Sequence, residues 1–254
     1  MRTPKNNALV GYSGFIGSTL RNQMEFSSLY NSKTIGQIEN KEFDMVVSCG
    51  NSSLKWFANK NPEADFQNIL SFIDIIKTVK AKKFVLLSSI DVYEHPYDVD
   101  ENTVGDCSDK IPYGKHRLFL ENFVRNHFED HLIVRLPIVY GDGFKKNIIF
   151  DALNNHQIEK INPDTQIQIY NVKHIGSDIQ DFLDRKLESV NIATEPLIVR
   201  DLFRDVFDVP LTDCKENYWK YDMKTIHAEK GDYQYSREYL IEELKIFKRQ
   251  YETK

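Results

Sequence analysis

Residues 7–24 read "NALVGYSGFIGSTLRNQM". A short apolar run leads into a turn with glycine at positions 11, 14 and 17, and the turn opens into a helical pattern. A side chain on such a turn would keep the backbone away from a pyrophosphate. The first turn of the helix offers unpaired N–H groups and the positive end of its dipole. The competing reading is a tight turn that uses glycine for its own steric reasons. The strand before and the helix after favour a dinucleotide, cradled by Gly11, Ser13, Gly14, Phe15, Ile16 and Gly17.

Working outward, "FDMVVSCG" (43–50) and "KKFVLLSS" (82–89) are continuous apolar runs of strand length, the kind buried on both faces of a parallel sheet. Between them, residues 61–81 place Phe66, Ile69, Leu70, Ile73, Ile76 and Val79 at helical spacing. "YGKHRLFLENFVRNHF" (113–128) is a second amphipathic helix, and "HLIVRLPIVYG" (131–141) reads as the strand after it. Strands alternating with helices specify an α/β fold, a doubly wound parallel sheet of Rossmann type with right-handed crossovers. Beyond about Gly141 the regularity fades. "FKKNIIFDALNN", "VRDLFRDVF" and "REYLIEELKIFKRQ" suggest helices and "QIQIYNV" a strand. The expected organisation is a core over 1–140, then 141–254 holding the remaining sheet elements and a small C-terminal substrate subdomain, all in one compact unit.

The chain has 254 residues, 41% hydrophobic and 28% charged, as ordinary globular proteins are. A net charge of −5 argues against nucleic acid as a partner. No run approaches a membrane span, and the first eleven residues lack the apolar core of a signal peptide. Cys49, Cys107 and Cys214, odd in number and widely spaced, fit reduced thiols and a cytoplasmic location. His127 and His131 stand four apart without a second ligand pair, so no metal site is expected. Trp56 and Trp219 are expected to pack in the core.

Five motifs in order carry a resemblance: "GYSGFIG", "FDMVVSCG", "LLSSIDVY", "PYGKHR" and "VRLPIVYG". With Asn68 in the helix after the second of them, the chain resembles the extended short-chain dehydrogenases/reductases over about residues 8–200. Within these it is similar to the NAD-dependent epimerase/dehydratase group, which acts on nucleotide sugars. The resemblance implies NAD or NADP as cofactor and adds Cys49, Gly50, Asn68 and Pro137 to its contacts. It implies Tyr113 as the acid/base residue and Ser89 as a hydrogen-bonding partner at the same oxygen, while Asp91 either contacts substrate or bonds locally to the loop. Lys145 and Lys146 could meet a substrate phosphate, although adjacent lysines are usually only solvated. A homodimer through "RLFLENFV" follows from the family habit of pairing through four helices.

The chain departs from that pattern in five places. Arg117 stands where the family has lysine, four residues after Tyr113. In a helix, four residues advance about 400°, so Arg117 shares the tyrosine's face while Lys115 does not. Arg117 is expected to contact the cofactor and to lower the Tyr113 pKa, less than an ammonium would. Ile138 replaces an asparagine that reaches substrate in many members. The stretch between the second and third strands is short. Ile90–Asp91 replaces the acid pair of the dehydratases, which argues against 4,6-dehydration. At the end of the second strand, Asn31, Ser32 and Lys33 replace the ribose-binding acid. They are either a plain turn or a site for the extra phosphate of NADP, a lean toward NADP. The expected function is an NAD(P)-dependent epimerase or ketoreductase of a nucleotide sugar. A non-catalytic dinucleotide sensor and a reductase of a small carbonyl are the alternatives.

Overall fold

The computed structural model describes residues 5–50, 54–106, 111–216 and 218–253, so Cys107 lies outside the described residues. The first half of the chain runs β1 (Asn7–Val10), α1 (Phe15–Gln23), β2 (Ser28–Tyr30), β3 (Glu42–Ser48), α2 (Lys55–Lys60), α3 (Pro62–Ile76) and β4 (Lys80–Ser89). It continues through β5 (Tyr97–Val99), α4 (Pro112–His127), β6 (His131–Leu136), β7 (Ile138–Tyr140) and α5 (Ile148–Asn154). Then come β8 (Gln166–Ile167), β9 (Ile169–Asn171), α6 (Ile175–Asp184), β10 (Ser189–Asn191), β11 (Leu197–Ile198), α7 (Val199–Leu202), β12 (Asp222–Met223) and α8 (Arg237–Glu252).

Contacts divide the chain into two units, the first built from residues 1–94, 104–135 and 173–190 and the second from 95–103, 136–172 and 191–254. The division therefore does not fall at one point near residue 140. Residues 173–190 return to the first unit because α6 buries Ile175, Ile179 and Phe182, and because Gln23 at the end of α1 holds the start of α6. Its side-chain oxygen accepts the Gly176 N–H at 2.8 Å and its nitrogen donates to the Lys173 carbonyl at 2.8 Å.

The first unit carries the six-stranded sheet, in the order β10-β6-β4-β3-β1-β2. β1 pairs in parallel with β2 and β3, and β3 with β4. All four β1 residues are buried, as a strand covered on both faces must be. Its core runs from Ala8 and Val10 through Val46, Phe84 and Leu86 to Leu120, Val124 and Phe128. Phe84 and Phe128 stack with centroids 4.2 Å apart. The expected strand over 131–141 is interrupted: Pro137 has no N–H for a ladder, and β6 joins the large sheet while β7 pairs with β9.

The second unit is a set of two-stranded pairs, β7–β9, β8–β11 and β5–β12, with α5, α7 and α8. "QIQIYNV" is likewise two strands. Between them the buried Gln168 side chain donates to the Thr194 and Met223 carbonyls and accepts the Met223 N–H. A side chain spent on three backbone groups interrupts the run, a price sequence periodicity does not register. The charged helix α8 packs one face, through Leu240, Leu244 and Phe247. Among the described residues no helix is long and apolar enough to cross a membrane.

Candidate active site

The glycines of the first turn are not equivalent. Gly11 has φ +89°, and a Cβ there would come within 2.6 Å of the Gly50 Cα. A Cβ on Gly17 would lie 2.0 Å from the Gly11 carbonyl oxygen. Gly17 is glycine because the strand–helix turn closes on itself, and Gly11 because its φ is positive and the backbone after β3 packs against it. Gly14, the N-cap of α1, has φ −78°, and its Cβ would touch only the Gly11 carbonyl at 3.4 Å. The fold leaves that position open, beside a helix start that no capping side chain covers. Ser13 and Gly14 are exposed there, while Phe15 and Ile16 are half-buried. A bare, open glycine at a helix start with no side-chain cap fits a pyrophosphate.

Around this turn, the Cys49 thiol donates to the Val10 carbonyl at 3.1 Å, and burial pushes its pKa up to about 12. It is a neutral structural group. Asn31 builds its own turn: its Oδ1 accepts the Lys33 N–H at 2.9 Å and its Nδ2 donates to the Tyr12 hydroxyl at 3.2 Å. Ser32 and Lys33 point to solvent.

Tyr113 sits at the start of α4, which enters with Pro112 in its first turn, and the Tyr113 N–H donates to Asn59 Oδ1 at 3.0 Å. Its side chain is 8% exposed. The Arg117 guanidinium carbon lies 4.7 Å from the centre of the Tyr113 ring, so the helical period does bring residue 117 to the tyrosine. Arg117 is itself buried and donates to Asp65 Oδ1 at 3.4 Å, while His116 Nδ1 lies 2.8 Å from Asp65 Oδ2. Asp65 comes from α3, in register with the buried Ile69, Ile73 and Ile76. Asn68 is exposed, about 100° of helix away from Ile69. The inward polar residue of α3 is thus Asp65 rather than Asn68. An acid spaced four residues before an apolar stripe was the available signal.

Burial pushes the Tyr113 phenol up from its ordinary value, and this outweighs Arg117, which pulls it down by charge and by a hydrogen bond. Arg117 depresses the phenol as expected, but the net shift is upward, because a group taken out of water resists charge. Asp91 pushes the phenol up further and Lys55 pulls it down. Ser89 ends β4, and its hydroxyl and the Asp91 carboxylate lie 3.2 Å apart. α4 packs against the turn Ile90–Val92 that carries Asp91. Behind the tyrosine, Glu121 of α4 accepts from Arg135 of β6 at 2.8 Å, and Arg135 also donates to the buried Tyr93 hydroxyl. This buried bridge ties α4 to the sheet.

Pro137, Lys145 and Lys146 belong to the second unit; Pro137 is buried and both lysines are exposed. His127 stacks on Phe123, and His131 Nδ1 lies 3.0 Å from the Phe128 carbonyl. Trp56 and Trp219 are 63% and 48% exposed, not core residues. Ala58 is the buried residue of short α2, which leaves Trp56 outside, and Trp219 is held by its backbone to residues 165 and 166.

No functionally curated protein matches the sequence. Among solved structures the fold is similar to the UDP-glucose 4-epimerase of Thermotoga maritima solved with UDP-glucose. The TM-score is 0.75 at 15% identity, over 98% of this chain and 99% of that one. It is also similar to a UDP-N-acetylglucosamine 4-epimerase from Methanobrevibacter ruminantium, solved with UDP-N-acetylmuramic acid, with TM-score 0.74 at 16% identity, over 99% of each chain. A dTDP-4-dehydrorhamnose reductase from Yersinia enterocolitica gives 0.72 at 13% identity, over 98% of this chain and all of that one. At such identities the likeness is one of fold. The sequence profile of the NAD-dependent epimerase/dehydratase family matches residues 24–184, a span that includes Ser89, Tyr113 and Arg117. With more than half of its length matched and the six-stranded α/β sheet in place, this chain belongs to the NAD-dependent epimerase/dehydratase family of enzymes.

Proposed function

We propose that the chain is an NAD(P)-dependent epimerase or ketoreductase of a nucleotide-activated sugar, with Tyr113 as its acid/base residue. The observation that carries this is the buried phenol of Tyr113 under the Arg117 guanidinium, on a helix packed against the Ser89–Asp91 turn. When bound, the nicotinamide supplies a hydride or accepts one. Gly11, Gly14 and Gly17, with the amides that open α1, would hold the pyrophosphate, beside Ser13, Phe15, Ile16, Cys49 and Gly50. Tyr113 gives its proton to a sugar carbonyl oxygen or takes one from a sugar hydroxyl. Ser89 hydrogen-bonds the same oxygen. Arg117 stabilises the phenolate left behind.

A phenol raised above its ordinary pKa is protonated at neutral pH. It is ready to donate, so reduction of a ketone is the easier direction in this reading and oxidation improves as pH rises. Lys145 and Lys146 are candidates for substrate phosphate, and Asn31, Ser32 and Lys33 lean the cofactor toward NADP. A cytoplasmic location and a homodimer through α4 belong to the same reading, the latter supported by Phe119, 43% exposed on that helix. Tyr113→Phe tests the core of it with UDP-glucose and related UDP-sugars. Cofactor binding should persist while turnover falls by roughly 10²-fold or more. Wild-type turnover in the variant would make the phenol a bystander.

A further inference from the structure

α4 lacks the lysine expected four residues after Tyr113, but a lysine reaches this site from another element. Lys55 opens α2, and its Nζ lies 2.6 Å from Asp91 Oδ1. The other carboxylate oxygen, Oδ2, accepts from the Ser89 hydroxyl at 3.2 Å, and Ser89 Oγ accepts the Asp91 N–H at 3.2 Å. The side chains of Lys55 and Asp91 are 38% and 15% exposed, which leaves the pair partly shielded from screening. α2 is joined to the start of α4 by the Asn59 side chain, which accepts the Tyr113 N–H.

We propose that the positive charge acting on Tyr113 is divided between two elements. Arg117 supplies one part from α4, over the ring. Lys55 supplies the other from α2, where its ion pair holds Asp91 and, through it, the Ser89 hydroxyl. Lys55 is a positioning residue in this arrangement: it acts through Asp91 and Ser89. The inference rests on the reading of Tyr113 as the acid/base residue and goes beyond it. An ionised Asp91 close to a buried phenol disfavours the phenolate, because like charges do not share a poorly solvated site. Paired with Lys55, the same carboxylate is largely neutralised and still fixes the serine hydroxyl. The charged groups acting on the phenol are Arg117 on its own helix, Asp91 after β4 and Lys55 on α2. Asp65 and His116 act through Arg117.

The two partners should therefore move the phenol in opposite directions. The experiment is an ultraviolet titration of phenolate absorbance in the cofactor-free protein, each variant read against the same variant carrying Tyr113→Phe. Lys55→Met should raise the midpoint, Asp91→Asn should lower it, and the double variant should fall between them. Lys55→Arg should restore the wild-type midpoint. If Lys55→Met lifts the midpoint past the pH at which the fold survives, the downward shift in Asp91→Asn decides alone. Midpoints that stay put, or move the same way in both variants, overturn the proposal. The titration needs neither cofactor nor sugar, so its failure is separate from failure of the proposed activity, which the turnover of Tyr113→Phe reports.

Discussion

The turn between β1 and α1 and the first turn of α4 work by opposite means. The glycine turn is shaped by what is left out: no side chain at Gly11, Gly14 or Gly17, and no side chain capping α1. The start of α4 is shaped by what is crowded in. Arg117 covers the Tyr113 ring, and Asp65 from α3 takes both Arg117 and His116. One region is decided by backbone sterics within a few residues. The other is decided by charges brought from three helices and the end of β4. A local site fails when an atom is added, and a distributed one when a partner is removed.

Adding atoms should break the first region in two distinct ways. In Gly17→Val the new Cβ overlaps the Gly11 carbonyl oxygen 2.0 Å away, and its three nearest atoms are all backbone of Gly11 and Tyr12, which cannot swing aside as a flexible side chain would. The expected loss exceeds roughly 4 kcal/mol, enough to unfold a domain of ordinary stability. Circular dichroism or thermal melting reads it directly. Gly14→Val places its side chain where only a 3.4 Å contact waits. It should melt close to wild type and lose cofactor binding by calorimetry. Should Gly14→Val keep full affinity, the open face of this turn is not a pyrophosphate site.

Removing a partner should break the second region. Arg117→Met leaves the 2%-exposed Asp65 with His116 alone. Stranding one member of a buried ion pair costs on the order of 3 kcal/mol, seen as a drop of several degrees in Tm. The phenol loses the strongest influence pulling it down, so its titration should move upward and cofactor affinity should fall. Arg117→Lys keeps the charge and should retain or raise turnover. Adding Asp65→Asn to Arg117→Met should return much of the lost stability, since the stranded charge is gone. An Arg117→Met variant unchanged in both Tm and titration would show the arginine to be idle.

The same contrast explains what could be read without coordinates. The glycine turn, the strands around Val46 and Phe84, and the placement of Arg117 beside Tyr113 all follow from short-range rules of period and sterics. Asp65, Lys55 and the Glu121–Arg135 bridge do not. Their partners are 52, 36 and 14 residues away in sequence. Nothing local distinguishes Lys55 from the many solvated lysines of this chain. The net direction of the Tyr113 shift was hidden for a related reason. Helical period places the cation but says nothing about how far the phenol is removed from water. The breaks at Pro137 and Gln168 sit between these cases: proline is a local signal, whereas the glutamine acts through distant carbonyls.

The smallest expected effect lies beside the glycine turn, in the choice between NAD and NADP. The end of β2 carries no carboxylate to grip a ribose hydroxyl or to repel a phosphate. Asn31 is committed to its own turn and to Tyr12, which leaves Ser32 and Lys33, both exposed, to face the extra phosphate of NADP. An exposed lysine opposite an anion contributes up to about 1 kcal/mol, since water and salt screen it and its long side chain must be ordered. That corresponds to a preference of at most about fivefold. Calorimetric titration should therefore find NADP binding between equally well and about fivefold more tightly at low ionic strength. The difference should close at high salt, where the Debye length falls to about 3 Å. Lys33→Ala should erase it without changing NAD affinity. A strong preference for NAD would mean that an acid from elsewhere holds the ribose, and this edge of the site would then owe its specificity to a distant partner, as the α4 site does.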